Sequence, residues 1–155
     1  GWYGDAERAC RCRSRETERY MRRVSGPLLD RIDLRVVMPR IPAEQLVAAK
    51  RPEASVVVAQ RIENAWRRAL ARNLGVANAT LHGDPLLHAC GLDGPGRAAV
   101  SDIARTLELT ARGVHRMLRV ARTIADLREL ELVTADEVLS AASLRDRSVE
   151  LAEAA

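Results

Sequence analysis

The sequence predicts a mainly α-helical fold: a helical bundle over residues 54–155, preceded over residues 1–40 by a helix and one or two strands. Three observations predict it. Apolar residues recur at helical spacing in long runs, above all Val114, Met117, Leu118, Ala121, Ile124 and Ala125. A single stretch alternates with period two, with Ile32, Leu34, Val36 and Met38 on one face and Asp33, Arg35 and Val37 on the other. Phe is absent and aromatic residues make up 3% of the chain, so the core must come from Leu, Val, Ile and Ala, a composition that suits packed helices.

Gly1 to Arg13 reads as a loop or hairpin that carries Cys10-Arg11-Cys12. Two thiolates this close can ligate one soft metal ion, but a closed zinc site needs four ligands, and two unliganded thiols in a loop fit the pattern as well. Ser14 is placed to cap a helix to about Val24, with Glu16 and Glu18 in the first turn, where the helix dipole favours negative charge, and Tyr20, Met21 and Val24 on the inner side. Ser25-Gly26-Pro27 ends that helix, because Pro27 fixes φ and lacks an amide donor. Leu28 and Leu29 are expected to bury a short turn, which puts Asp30-Arg31 directly before the strand Ile32 to Met38. Arg31 thus stands at the entrance of a half-buried strand, on a junction where a guanidinium can be aimed at a partner's phosphate. Pro39 and Pro42 bracket a linker over residues 41–53, with a short helix around Ala43 to Ala49 and a break at Arg51-Pro52.

A long helix is predicted from Ala54 to Leu74, with Val58, Ile62, Ala65, Trp66, Ala69 and Leu70 in one stripe and Arg61, Asn64, Arg68 and Arg72 opposite. That arginine side suits either a solvated face or nucleic acid. Asp84-Pro85 opens a short helix to Cys90, and another follows from Pro95 to Leu107. Thr110 caps the next helix, on which Arg112, Arg116 and Arg119 stand at i, i+4 and i+7 and so share a face. Like charges stacked in this way repel, and an anion opposite them, or surface carboxylates such as Glu108, would remove the penalty. Arg122 and Asp126 form an i, i+4 pair worth a few tenths of a kcal/mol. Thr134-Ala135-Asp136-Glu137 is a complete capping box for a last helix through about Leu144, followed by a Glu- and Ala-rich tail after Arg147.

The chain has 155 residues, enough for one domain plus part of another, and a net charge of +4 in which Lys50 is the sole lysine. Arginine suits bidentate phosphate contacts, although a genomic bias toward arginine codons gives the same composition. Three cysteines, two of them one residue apart, do not form the framework of a secreted disulfide protein, and no apolar run is long enough to span a bilayer. A cytoplasmic location with no membrane partner is expected, and Gly1 reads as an internal residue of a longer protein.

Ser25-Gly26-Pro27-Leu28-Leu29-Asp30-Arg31-Ile32-Asp33-Leu34 resembles the "LLDRID" segment of the magnesium-chelatase-like branch of the AAA+ ATPases, ComM type. Gly1-Trp2-Tyr3-Gly4-Asp5, the Cys10/Cys12 pair and the run Ala111 to Leu127 are similar in the same order, so the resemblance covers almost the whole chain. It implies that residues 1–40 are the C-terminal remnant of an AAA+ α/β core and residues 54–155 an AAA+ helical lid. It implies that Arg31 is an arginine finger acting in trans and Arg112 the sensor 2 arginine, with Arg116 and Arg119 beside it at the nucleotide. ATP and Mg2+ are implied for the full-length protein, as are a ring (a hexamer) of identical subunits, DNA as partner and a branch-migration or helicase role. Family members often carry a second Cys-x-Cys just upstream, which with Cys10 and Cys12 would make a four-sulfur zinc site. The phosphate-binding loop and Walker B strand of the family have no counterpart in these 155 residues, so this chain alone is expected to be inactive. Two other functions fit the residues: the ATPase subunit of magnesium chelatase, and a basic helical module that binds nucleic acid by itself.

Overall fold

Helices α1 to α8, with one 3-10 turn, are the regular elements of the computed structural model, which describes residues 1–5, 8–29, 31–36, 38, 41–47 and 53–145. The chain divides into two compact units, drawn from Gly1–Lys50 and from Arg51–Arg145.

The first unit contains α1 (Ser14–Met21), α2 (Gly26–Leu29) and α3 (Ala43–Val47). Ser14 is the first residue of α1 rather than its cap, and the Arg13 amide donates to Glu16 Oε2 at 2.9 Å instead. Helix α1 stops at Met21, and its expected inner face is exposed at Tyr20, Met21 and Val24. Pro27 is not what ends that helix, which has closed at Met21; it stands instead as an early residue of a new helical turn, where its missing amide costs nothing. Leu28 is half exposed rather than buried. The strand expected over Ile32 to Met38 is not formed among the described residues, which run without ladder pairing and with Ile32, Leu34, Val36 and Met38 exposed. Its alternating pattern is that of a strand, but a strand exists only against a neighbour, and the described residues provide none. Val37, Pro39, the break at Arg51-Pro52, the last residues Ala48-Ala49 of the expected short helix and the tail after Arg147 lie outside the described residues.

The second unit contains α4 (Ser55–Arg72), the 3-10 turn Asn78–Thr80, α5 (Gly83–Cys90), α6 (Gly94–Thr106), α7 (Ala111–Leu127) and α8 (Ala135–Ser143). Helix α7 is central: α4, α5, α8 and the 3-10 turn pack on it, and α6 packs on α8. The core joins Leu86 and Cys90 of α5, Met117, Leu118, Ala121 and Ala125 of α7, Val133, and Val138, Ala141 and Ala142 of α8. Ala65 and Ala69 are the buried residues of α4, so small side chains let it approach α7 closely along one seam. Ile62 and Trp66, predicted to join that seam, are exposed.

The caps decide where these helices begin. Thr110 accepts from the Gly113 amide at 3.1 Å and sets the start of α7. Asp93 accepts from the Gly96 amide at 2.6 Å and starts α6 one residue before the expected Pro95. In α8 the Thr134–Glu137 box closes in both directions, and Glu137 is buried beneath it. Helix α5 begins at Gly83, before the expected Asp84 cap, and ends at Gly91, whose φ of 54° suits glycine.

Candidate functional site

Arg31 stands two residues beyond the end of α2. The helical turn over Gly26–Leu29 holds its backbone, with the Arg31 amide donating to the Leu28 carbonyl at 3.0 Å. Its side chain is exposed, and Nη1 donates to the Pro27 carbonyl at 3.2 Å.

The three arginines of α7 are not equivalent. Arg112, in the first turn, is exposed, and among the described residues it has no ion pair or side-chain hydrogen bond. Arg116 is 6% exposed, buried beside Met117 and Leu118. Arg119 is half-buried and donates Nη1 to the Ala79 carbonyl at 3.0 Å, tying α7 to the 3-10 turn. The uniform charged stripe expected from the i, i+4, i+7 spacing is therefore graded in exposure, and its open end is Arg112. The helical spacing is as expected. The gradation arises because α7 is packed from several sides, which spacing within one helix does not reveal.

Cys10 and Cys12 bring their sulfurs together beside Gly1. A side chain at Gly1 would overlap the Cys12 sulfur and stand 3.0 Å from that of Cys10. A hydrogen bond from the Cys12 backbone holds the Cys10 thiol below its ordinary value against the opposing effect of burial, and the Trp2 backbone and the Cys12 thiol add to the lowering. This favours thiolate, the form that binds soft metals. Two sulfurs fit half of a tetrahedral zinc site, and among the described residues no third His, Cys, Asp or Glu joins them.

The densest polar cluster among the described residues is centred on Asp126, and spacing along the chain does not reveal it. Asp126, 2% exposed, accepts a two-pronged contact from Arg72, with Nη1 to Oδ1 at 2.6 Å and Nη2 to Oδ2 at 2.9 Å. It also accepts from Arg122 Nη2 at 2.9 Å and Asn78 Nδ2 at 2.8 Å. Arg122, fully buried, also donates from Nη2 to the Leu130 carbonyl at 2.6 Å and from Nη1 to the Glu131 carbonyl at 2.7 Å, while its buried Nε finds no acceptor among the described residues. Two guanidinium groups thus share one carboxylate, and peptide dipoles beyond the end of α7 offset the surplus positive charge. Burial pushes the Asp126 carboxyl up, but the Arg72 and Asn78 bonds and the Arg122 charge outweigh it and hold it below its ordinary 3.8. Arg72, expected on a side of α4 that faces solvent or nucleic acid, is thus turned to Asp126, and the Arg122–Asp126 pair, expected to be worth a few tenths of a kcal/mol, is buried. The cluster locks α4, the 3-10 turn and the loop after α7 together, so the helix bearing Arg112 is fixed at its far end.

Comparison with known proteins decides the family. The family described as "Magnesium chelatase, subunit ChlI C-terminal" matches residues 52–145, and "Magnesium chelatase, subunit ChlI" matches residues 1–46. The chain belongs to the magnesium chelatase ChlI family. The helical second unit is what its C-terminal part predicts. Within this family the chain is similar to YifB of Escherichia coli, 35% identical over 136 residues, covering 87% of this chain and 27% of that protein. It is 37% identical to Rv2897c of Mycobacterium tuberculosis over 147 residues, covering 88% of this chain and 27% of that one. Competence protein ComM of Haemophilus influenzae is 34% identical over 110 residues, covering 70% of this chain and 21% of ComM. The chain thus spans about a quarter of the length of the curated relatives it matches. No helix among the described residues is long and apolar enough to cross a membrane.

Proposed function

We propose that this chain supplies the arginine finger and the sensor 2 arginine of a ComM-like AAA+ ATPase, a ring of identical subunits that hydrolyses ATP with Mg2+ and moves DNA. The observation that supports this reading is that both parts of the chain match one family while each part holds one of the two arginines exposed: Arg31 in the first, Arg112 in the second. Phosphoryl transfer calls for positive charge at the equatorial oxygens of the moving group, set in place beforehand. In this reading Arg31 leaves the Pro27 carbonyl to meet a γ-phosphate held by the neighbouring subunit. Arg112, at the start of a helix anchored elsewhere by the Asp126 cluster, links the helical unit to nucleotide state. Arg116 and Arg119 keep α7 in place, and the nucleotide contact falls to Arg112. The phosphate-binding loop and the Mg2+ carboxylate belong to residues beyond these 155, and zinc, where present, takes Cys10 and Cys12 as two of its four ligands.

Turnover of ATP by the full-length protein, measured with and without DNA, tests the reading. Hydrolysis that rises on adding DNA is expected. Hydrolysis indifferent to DNA contradicts the DNA motor and favours a second reading, the ATPase subunit of a chelatase, which the family's description supports. Absence of hydrolysis contradicts both.

A further inference from the structure

We infer that the first unit carries a surface for the unpaired bases of a single-stranded polynucleotide, built from Trp2, Arg8, Arg11, Tyr20 and Arg23. This deepens the DNA part of the reading above, on which it rests, by naming the contact and the form of the strand. The sequence concentrates the necessary chemistry at one end. Three of its four aromatic residues, Trp2, Tyr3 and Tyr20, fall within residues 1–23, as do seven arginines against four acidic residues. That excess of three positive charges is most of the net charge of +4.

Arginine is set against an aromatic ring twice. The Arg8 guanidinium lies 4.5 Å from the centre of the Trp2 ring, and that of Arg23 lies 5.8 Å from the Tyr20 ring. Trp2 is 47% and Tyr20 69% exposed, so neither ring is spent inside a core. A cleft of about 580 Å³ opens beside the first pair, with Trp2, Arg8, Arg11 and Glu16 on its walls. Glu16 and Tyr20 lie four residues apart on α1, so the side of the helix that lines the cleft leads on to the second pair. Among the described residues Arg8, Arg11 and Arg23 make no ion pair, and Glu16 accepts from the Arg13 amide at 2.9 Å. A duplex hides the faces of its bases in its own stack, so exposed rings gain nothing from it. On a single strand each base offers a face to a ring or a guanidinium plane, while unpaired arginines meet the phosphates. An acidic peptide would use the arginines and leave the rings idle.

Fluorescence anisotropy of labelled oligothymidylate and of a duplex of equal length, titrated with the 155-residue chain, tests the surface. The single strand should bind at least about tenfold more tightly than the duplex. Trp2→Leu and Tyr20→Leu should each weaken single-strand binding by about 5- to 150-fold, and Trp2→Tyr should keep most of it. Arg11→Ala should lower the slope of log affinity against log salt by about 0.7, whereas Arg105→Ala, in the second unit, should leave binding unchanged. No binding, equal binding of duplex and single strand, wild-type binding by both leucine variants, or displacement of the strand by polyglutamate at equal charge overturns the surface. If it is overturned while hydrolysis by the full-length protein still rises with DNA, the motor reading stands. Strand binding that follows these variants while hydrolysis is indifferent to DNA removes the motor and upholds the surface.

Discussion

Asp126→Ala should destabilise the second unit more than any surface substitution. The carboxylate is 2% exposed and accepts four hydrogen bonds, two from Arg72 and one each from Arg122 and Asn78. Removing it leaves Arg122, fully buried, with backbone carbonyls alone as acceptors. Breaking a buried pair from one side costs about 3–5 kcal/mol, because a buried charge is left uncompensated. A domain of this size is typically stable by about 5–15 kcal/mol, so the loss is a large part of the total. Arg72→Met should cost less, about 1–3 kcal/mol, since Asp126 keeps Arg122 and Asn78 and Arg72 reaches solvent. Arg105→Ala, which breaks an exposed pair with Asp102, should change stability by less than about 0.5 kcal/mol. Urea unfolding followed by far-ultraviolet circular dichroism measures all three. With a slope of about 1–3 kcal/mol per molar urea, Asp126→Ala should lower the midpoint by about 2 M. A midpoint shift no larger than that of Arg105→Ala would mean that the cluster does not hold α4 to α7.

Two further outcomes follow from the same geometry. Asp126 and Glu137 both have carboxyls held below their ordinary 3.8 and 4.5. For Glu137, burial acts to raise the value and is outweighed by bonds from Thr134 and Arg128. A depressed folded-state value contributes stability above the unfolded value and loses it as pH falls through the folded one, so stability should drop in acid from about pH 4.5 downward. Asp126→Asn should flatten that acid limb in urea titrations, and an unchanged limb would refute the assignment. Arg112→Ala should leave the unfolding free energy of this chain, measured by urea titration, within about 0.5 kcal/mol of wild type, because the side chain is exposed. In the full-length protein the same substitution should weaken nucleotide binding or its coupling to turnover, and unchanged affinity and turnover would count against sensor 2.

The helices were legible in the sequence at several ends that a local rule fixes, though not at the expected caps Ser14 and Asp84. The Thr110 cap, the Thr134–Glu137 box and the Gly91 stop all fall where the residues put them, and the α7 stripe Met117, Leu118, Ala121 and Ala125 is the core. What depends on a second element was not legible. The Ile32 to Met38 alternation requires a neighbouring strand, and periodicity within one segment cannot supply it. Arg72 and Asp126 are 54 residues apart in sequence, so their contact leaves no trace in the spacing of either helix. Trp66 and Ile62 follow the apolar period of α4, yet only the alanines of that stripe meet α7. Of the candidate site residues, the composition and pattern mark the arginines, but burial by neighbouring helices separates Arg116 from Arg112.

The central claim is that Arg31 acts on a nucleotide held by another subunit, and one measurement addresses it directly. ATP binding and ATP turnover are determined side by side for the full-length protein and its Arg31→Ala variant. The account predicts that turnover falls by roughly 10³–10⁵-fold while binding is nearly unchanged. Turnover equal to wild type, or a loss of turnover that merely follows a loss of binding, would contradict it.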